Sequence, residues 1–367
     1  MQQKGRNVEK MNEKIMQLRE RLKSLDIQGM IVTNPKSILY LTNIDAEGVL
    51  LITRRENVYI TDGRYMEVVN KALTVEDEVI VYNVRDLTQD DYENFFIFCE
   101  NVGFEEGHLT YLKYKEYIEK YKINFFEETE NIIEKYRIVK KEEEIQNIRT
   151  ACEITDRCFE HMRNFIKIGM TEKEIAFEIE RFFLTNGADG LAFDTIVASG
   201  ANSSMPHAVP TDKKIEAGDP ITIDMGCRVK GYCSDMTRTV FAGFVPSFMR
   251  PVYDLVLKNQ LKVLNEMHEG VNSKVISRGV ESEFKLNGVN LIHSLGHGVG
   301  LDIHEYPFIS SKKDCILREN MVVTNEPGIY ITGRFGVRIE DTVLVKKEDC
   351  EPLTKSEKEY VIVDQQM

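Results

Sequence analysis

Acidic residues interrupt two apolar, strand-like stretches of this sequence, and they limit the possible folds more than any other feature. The first stretch, Ile221 to Val240, has a turn at Lys230-Gly231 between apolar flanks. The hairpin that this turn predicts sets Asp224 opposite Thr237. Asp235 lies two residues before Thr237 on the same strand. Because side chains alternate between faces along a strand, both aspartates should project from one face as diagonal neighbours.

The second stretch, Met321 to Val345, also predicts a hairpin with two acids on one face, and here the two acids are directly opposite each other. A turn centred on Gly333 sets Glu326 directly opposite Glu340, and Arg338 shares the face of Glu340. The proline-glycine pair after Glu326 must bend the first strand, so the register is approximate. Carboxylates that face each other inside apolar strands destabilise the fold unless a cation lies between them.

A histidine within a glycine-rich run, Gly296 to Gly300, joins the four acids as a candidate metal ligand. Four carboxylates would be neutralised by two divalent cations. Oxygen donors with one imidazole and no thiolate suit Mn(II), Co(II), Zn(II) or Fe(II). Two such metals ~3.5–4 Å apart can bridge and acidify one water. The candidate ligands are Asp224, Asp235, His297, Glu326 and Glu340.

Composition narrows the class of protein. The 367 residues are 42% hydrophobic and 29% charged, which indicates a globular chain of two or three domains. We expect no transmembrane helix and no secretory signal, because long apolar runs are absent. A net charge of −13 disfavours nucleic acid and anionic membranes as partners. Seven cysteines without C-x-x-C spacing favour reduced thiols and a cytoplasmic location.

Hydrophobic periodicity divides the chain near the charged segment Arg137 to Glu144. Helices and strands alternate before this segment, whereas strand-like runs dominate after Gly190, around one helical region from Pro251 to about Lys285. Residues 1–10 are polar, and we expect them to be disordered.

Two helix starts are predicted from capping residues. Asp62 should cap a helix that runs to about Lys71. Thr171 with Glu174 forms a capping box for a helix that ends near Gly187.

Five motifs, in order along the chain, resemble those of the pita-bread metallopeptidases, specifically the aminopeptidase P and prolidase branch. They are ASGANSSMPHAVPTD, IDMGCRVKGYCSDMTRT, HSLGHGVGLDIHEYP, NEPGIY and GVRIEDTVLV. Before them, NPKSILYLTN and TDGRY resemble the N-terminal domain that this branch shares with creatinase. The resemblance implies an α+β pita-bread catalytic domain over 137–367, preceded by a smaller α/β creatinase-like domain over 11–136.

The resemblance also implies how the metals are shared. Asp224 and Asp235 would bind one metal, with Asp235 bridging to the second. His297 and Glu326 would complete the ligand shell of the second metal, and Glu340 would bridge the two metals. Manganese is the metal expected first, with cobalt, zinc and iron as alternatives.

Four further roles follow from the same resemblance. His207 would bind the substrate and stabilise the oxyanion, and His304 would contact the substrate near proline. Glu326 would carry a proton to the departing proline nitrogen. Arg338 would brace the ligands and the substrate. For His293, a place behind the ligands and simple local packing are equal alternatives.

The implied reaction releases the N-terminal residue from a peptide with proline in second position, by attack of a metal-bridging hydroxide. Prolidases often carry arginine four residues after the equivalent of His304, where this chain has Phe308. An apolar side chain cannot pair with a free carboxylate. We therefore predict an Xaa-Pro aminopeptidase, with an Xaa-Pro dipeptidase as the alternative. A homodimer is also implied.

Two other classes remain as rivals: a non-catalytic pita-bread binding protein, and a metal-free creatinase-like amidine hydrolase. Relatives of those kinds lack part of the ligand set. All five ligand positions are retained here, together with His207 and His304.

Overall fold

The computed structural model describes residues 11–73 and 78–365. Residues 1–10, for which we predicted disorder, lie outside the described residues. The chain forms two compact units, with the boundary between Arg137 and Ile138. Over the described residues, no helix is both long enough and apolar enough to cross a bilayer.

The first unit is an α/β structure around one six-stranded sheet with the order β4-β3-β2-β1-β5-β6. Its helices are α1 (Met11–Ser24), α2 (Pro35–Thr42), α3 (Met66–Ala72), α4 (Gln89–Phe95), α5 (Tyr111–Tyr121) and α6 (Ile132–Arg137). Its strands are β1 (Gly29–Val32), β2 (Val49–Ile52), β3 (Asn57–Thr61), β4 (Val79–Asn83), β5 (Asn101–Phe104) and β6 (Phe125–Glu128). The strands β1, β2 and β3 pair antiparallel, and the other pairings are parallel.

The predicted cap at Asp62 is wrong. The helix begins at Met66, and its N-cap residue, Tyr65, makes no side-chain capping bond. The Asp62 carboxylate instead accepts hydrogen bonds from the backbone N–H and the Nε of Arg64, at 3.0 and 2.7 Å. A local turn at the aspartate thus competes with helix formation and delays the helix start.

The second unit contains four helices and fourteen strands among the described residues. The helices are α7 (Glu142–Phe165), α8 (Glu172–Thr185), α9 (Arg250–Glu266) and α10 (Ser273–Leu286), with a short 3₁₀ helix over Gly200–Ser204. The strands are β7 (Gly190–Leu191), β8 (Ile196–Ser199), β9 (Pro220–Met225), β10 (Cys227–Val229), β11 (Tyr232–Cys233), β12 (Met236–Ala242), β13 (Gly296–Gly298), β14 (Glu305–Ile309), β15 (Val322–Asn325), β16 (Gly328–Ile331), β17 (Phe335–Arg338), β18 (Asp341–Val345), β19 (Cys350–Pro352) and β20 (Ile362–Val363).

Two apolar cores of the second unit each join one sheet to one pair of helices. In the first core, α7 and α8 pack on the sheet β20-β12-β9-β8. In the second, α9 and α10 pack against the sheet β14-β13-β15-β18-β19 and the ribbon β16-β17. The capping box of Thr171 and Glu174 is confirmed at the start of α8. The single helical region predicted from Pro251 is two helices, α9 and α10.

The predicted register of both hairpins is confirmed. Asp224 lies opposite Thr237 between β9 and β12. In the second hairpin, Gly328 pairs with Arg338 in one ribbon, and Asn325 pairs with Asp341 in the neighbouring sheet. Both pairs belong to the register centred on Gly333. The two glutamates, however, lie in the gap between the ribbon and the sheet, where the proline-glycine pair bends the strand.

A buried ion pair joins β12 to β18. The side chains of Arg238 and Asp341 are 1% and 0% exposed, and Nη2 of the arginine lies 2.8 Å from Oδ1 of the aspartate. Lys358 Nζ lies 3.0 Å from Oδ2, and Gln260 donates a hydrogen bond to the same oxygen. Arg238 also donates to the carbonyl oxygen of Glu340. This network therefore anchors the backbone at one of the predicted metal ligands.

We expect Arg238→Met to lower the free energy of unfolding by roughly 3 kcal/mol, because it leaves a buried carboxylate with half of its charge partners. The matched control is Lys258→Met, which removes an exposed pair with Glu283 on the same unit and should cost less than about 1 kcal/mol. Urea denaturation followed by circular dichroism measures both. Equal losses would mean that the buried pair adds no more stability than the exposed one.

Candidate metal centre and its cleft

The two aspartates of the candidate centre come from adjacent strands of one sheet. Asp224 lies within β9, and Asp235 directly precedes β12, which pairs with β9 along its whole length. Both side chains are buried, since the residues are 9% and 4% exposed. The backbone N–H of Asp235 donates to Thr342 Oγ1 at 3.1 Å, and this bond ties the first sheet to β18.

The remaining three candidate ligands come from the second sheet and its bend. His297 lies in β13, and Glu326 directly follows β15. Glu340 lies between β17 and β18, and its N–H donates to the Thr237 carbonyl of β12. His297 Nε2 lies 3.5 Å from Asp235 Oδ2 and 3.4 Å from Glu326 Oε1. One ligating atom from each of Asp235, His297 and Glu340 lies within 4.8 Å of the others.

The electrostatics of this cluster fit a cation. Burial, and then the neighbouring carboxylates, raise the pKa of Asp235 and of Glu340 well above their ordinary values. Burial raises the pKa of Glu326 to about 7. Asp224 Oδ1 is buried and has no hydrogen-bond partner among the described residues. Divalent metals would supply both the missing positive charge and a partner for this oxygen.

Arg338 braces one side of the cluster. Its buried guanidinium donates to Asp224 Oδ2 at 2.8 Å, to Tyr330 Oη at 2.7 Å and to Thr237 Oγ1 at 2.9 Å. Thr237 in turn donates to Glu340 Oε2 at 2.6 Å. Arg338 therefore orients Asp224 through one oxygen, and Thr237 orients Glu340 through one oxygen. The second oxygen of each carboxylate is left to bind a metal.

Two further histidines, His293 and His304, lie beside the candidate ligands. The rings of His297 and His304 meet edge to face, with centroids 4.3 Å apart. His293 lies against Tyr330 Oη at 3.0 Å and against Glu326 Oε2 at 3.8 Å. Burial lowers the pKa of both His293 and His297 to about 4. Both imidazoles are therefore neutral at pH 7, which is the form that binds metals.

A single cleft of about 420 Å³ contains all of the residues that the sequence proposed for the site. Those residues are His207, Asp224, Asp235, His297, His304, Glu326, Arg338 and Glu340. Apolar side chains wall the same cleft, namely Phe193, Ile196, Ile303 and Phe308. Peptide binding would thus bury an apolar side chain beside the polar centre.

Sequence reasoning missed two residues that hold the cluster together. Thr237 orients Arg338 and Glu340, and Tyr330 joins Arg338 to His293. Tyr330 ends the NEPGIY motif, so its position was visible in the sequence, but its contacts depend on the bend after Glu326.

Comparison with known proteins agrees with this geometry. Residues 146–347 match metallopeptidase family M24, and residues 14–139 match the creatinase/prolidase N-terminal domain. The chain belongs to metallopeptidase family M24. The pita-bread fold, with a creatinase-type domain before the catalytic one, is thereby confirmed.

Several relatives within family M24 are similar over nearly their whole length. An Xaa-Pro dipeptidase from Pyrococcus horikoshii is 35% identical over 96% of this chain and 99% of its own. The structure of an Xaa-Pro dipeptidase from Bacillus anthracis superposes with a TM-score of 0.90 at 37% identity, covering 96% of this chain and 100% of that one. An X-Pro aminopeptidase from Thermotoga maritima gives a TM-score of 0.86 at 32% identity, covering 94% and 100%.

We predict that Glu340→Ala abolishes both metal binding and turnover, because Glu340 contributes one of three closely spaced ligating atoms and metal sites depend on their complete ligand set. Elemental analysis of the purified protein and a peptide hydrolysis assay measure the two effects. Glu348→Ala, at an exposed acid in the turn after β18, is the control and should change neither. Full activity in Glu340→Ala would remove the bridging role.

Proposed function

We propose that this chain is a metal-dependent peptidase that cleaves the bond before proline in second position and releases the N-terminal residue. The observation that carries the proposal is the convergence of four carboxylates, three of them buried, and His297 in one cleft, with His207 and His304 on its wall. Membership of family M24 supports metal-dependent peptide hydrolysis. The relatives named for Xaa-Pro substrates support the position of proline.

The proposed ligand sharing follows the arrangement of the strands. Asp224 and Asp235 would hold one metal, and His297 and Glu326 the other, with Asp235 and Glu340 shared. We propose manganese as the native metal. When bound, such metals acidify a coordinated water and polarise the scissile carbonyl.

The side chains around the metals would then bind substrate and move protons. His207 would donate to the carbonyl oxygen as negative charge develops there, and His304, beside His297, would contact the proline side. Glu326 would hold a proton on its carboxylate and pass it to the proline nitrogen. Its Oε1 lies 3.4 Å from His297 Nε2, so the carboxylate that would carry the proton is part of the centre itself.

Two substrate lengths compete, and different observations favour each. The relatives named as Xaa-Pro dipeptidases favour the dipeptide. Phe308, which pairs with His297 across β13 and β14 and lines the cleft, favours a longer peptide because it offers no charge to a carboxylate. Lys313 Nζ, however, lies 5.4 Å from the centre of the Phe308 ring. We therefore take the dipeptidase first and the aminopeptidase second.

The decisive assay compares Ala-Pro with Ala-Pro-Ala, using protein loaded separately with Mn(II), Co(II) and Zn(II). We expect metal-dependent release of alanine from Ala-Pro, with the highest rate in manganese. Faster cleavage of Ala-Pro-Ala than of Ala-Pro would select the aminopeptidase. Failure on both peptides with metal bound would reject the proposal and favour a non-catalytic binding protein.

Lys313 provides a separate test of the dipeptide assignment. Lys313→Gln should raise the KM for Ala-Pro by about three- to five-fold, the range of an exposed ion pair, and leave the KM for Ala-Pro amide unchanged. Lys347→Gln, at an exposed lysine in the turn after β18, is the control. Equal effects on the acid and the amide would show that Lys313 does not bind the carboxylate.

Three broader assignments are also part of the proposal. We propose a cytoplasmic location, which the seven free cysteines support, because reduced thiols are typical of that compartment. A homodimer is proposed from the family resemblance, and sedimentation velocity tests it. The domain limits proposed are 11–136 for the creatinase-like domain and 137–367 for the catalytic domain.

A further inference from the structure

Glu172, the first residue of α8, accepts six hydrogen bonds although it is fully buried. Its Oε1 accepts from the N–H and the Oγ of Ser199 at 2.7 and 2.8 Å, and from Asn202 Nδ2 at 3.1 Å. Its Oε2 accepts from the N–H and the Oγ1 of Thr211 at 2.9 and 2.6 Å, and again from Asn202 at 3.2 Å. One carboxylate thus binds three residues of a single segment.

The segment held in this way is 199–211, which we call the His207 segment because it carries that histidine. Ser199 is the last residue of β8 and Thr211 closes the segment, so the carboxylate ties its two ends together. His207 lies between the tied ends and lines the metal cleft. Glu172 does not line the cleft, so any effect it has on catalysis must pass through the segment.

The middle of the His207 segment rests on the residues of the metal centre. The Pro206 carbonyl accepts from Arg338 Nη1 at 3.3 Å, and the Gly336 N–H donates to Ser203 Oγ at 2.9 Å. A Cβ on Gly336 would lie 2.1 Å from the Ser203 carbonyl, so the backbones of β17 and the segment are in close contact. Movement of the tied ends would therefore displace the residues beside His207.

The charge of Glu172 strengthens these bonds. Burial raises the pKa of the carboxyl group, but hydrogen bonds from Thr211 and Ser199 together bring it below its ordinary value. The ionised group also lies at the positive end of the α8 dipole. Hydrogen bonds to a carboxylate are about twice as strong as those between neutral groups. A glutamine amide at this position would place an N–H₂ group against backbone and side-chain donors.

We propose that Glu172 is a positioning residue that holds the His207 segment so that His207 faces the metal cleft. The inference rests on the proposed function only in giving His207 a substrate contact. It assigns to a helix-terminal carboxylate, remote from the metals, control over the geometry of the substrate site.

Hydrogen exchange tests the structural half of this proposal without reference to catalysis. Glu172→Gln should speed exchange of the amides of the His207 segment by about ten-fold or more, since one of the two anchoring oxygens is replaced by a donor. The matched control is Glu174→Gln, on the same turn of α8, whose exposed carboxylate accepts hydrogen bonds from Thr171. It should leave exchange in the segment unchanged. Unaltered exchange in Glu172→Gln, or equal acceleration in both variants, overturns the proposal.

Kinetics test the functional half. Glu172→Gln should lower kcat/KM for Ala-Pro by about 100-fold with unchanged metal content, because a displacement of about 1 Å costs that much. In a His207→Ala background the same change should cost less than about two-fold, since it acts through the residue already removed. Losses that multiply in the double variant, or metal loss in the single one, overturn the proposal. If Glu172→Gln does not fold, Thr211→Val repeats both measurements with the carboxylate retained.

Discussion

The mutual repulsion of four carboxylates, three of them buried and Glu326 mostly buried, is the constraint on which the catalytic unit depends. Asp224, Asp235, Glu326 and Glu340 converge from two sheets into one cleft, and burial raises the pKa of three of them. A fold driven only by apolar burial would not bring such groups together. Divalent cations, which metallopeptidases bind, would balance these charges, and the two sheets would serve as the rigid support for the ligands.

Hydroxyl groups on the same strands orient the acids. Thr237 donates to Glu340, and Thr324 donates to Glu326 at 3.1 Å while accepting from the His297 N–H at 3.0 Å. Threonine suits a strand because it is β-branched, and its hydroxyl provides the hydrogen bond without adding charge. The side chains that pack the sheets thus also set the directions of the metal ligands.

The catalytic unit contains a second buried charge cluster, and the contrast between the two is informative. Asp341 forms ion pairs with Arg238 and Lys358 and accepts a hydrogen bond from Gln260, so its charge is balanced by groups of the chain itself. Its neighbour Glu340 shares its cleft with four other acids and one arginine. The two adjacent carboxylates therefore differ in role. Asp341 is neutralised within the chain and contributes to stability, whereas Glu340 would be neutralised by a bound cation.

The roles proposed for Glu172 and Lys313 would extend substrate recognition to residues outside the candidate ligand set. Glu172 holds the two ends of the segment that carries His207, and Lys313 Nζ lies 5.4 Å from the centre of the Phe308 ring, outside the lining of the cleft. Neither residue shares a strand with the metal ligands. Substrate specificity can therefore change without disturbing the metals.

The sequence alone determined the register of both hairpins and the five candidate ligands, because strand alternation and turn position are local properties. It failed at Asp62, where a local turn displaced the helix start. Only the tertiary structure decided that Glu326 and Glu340 lie in the gap between the β16-β17 ribbon and the five-stranded sheet, and that Glu172 holds the ends of a distant segment. Those contacts join residues far apart in the chain, and long-range packing, which no local period records, brings them together.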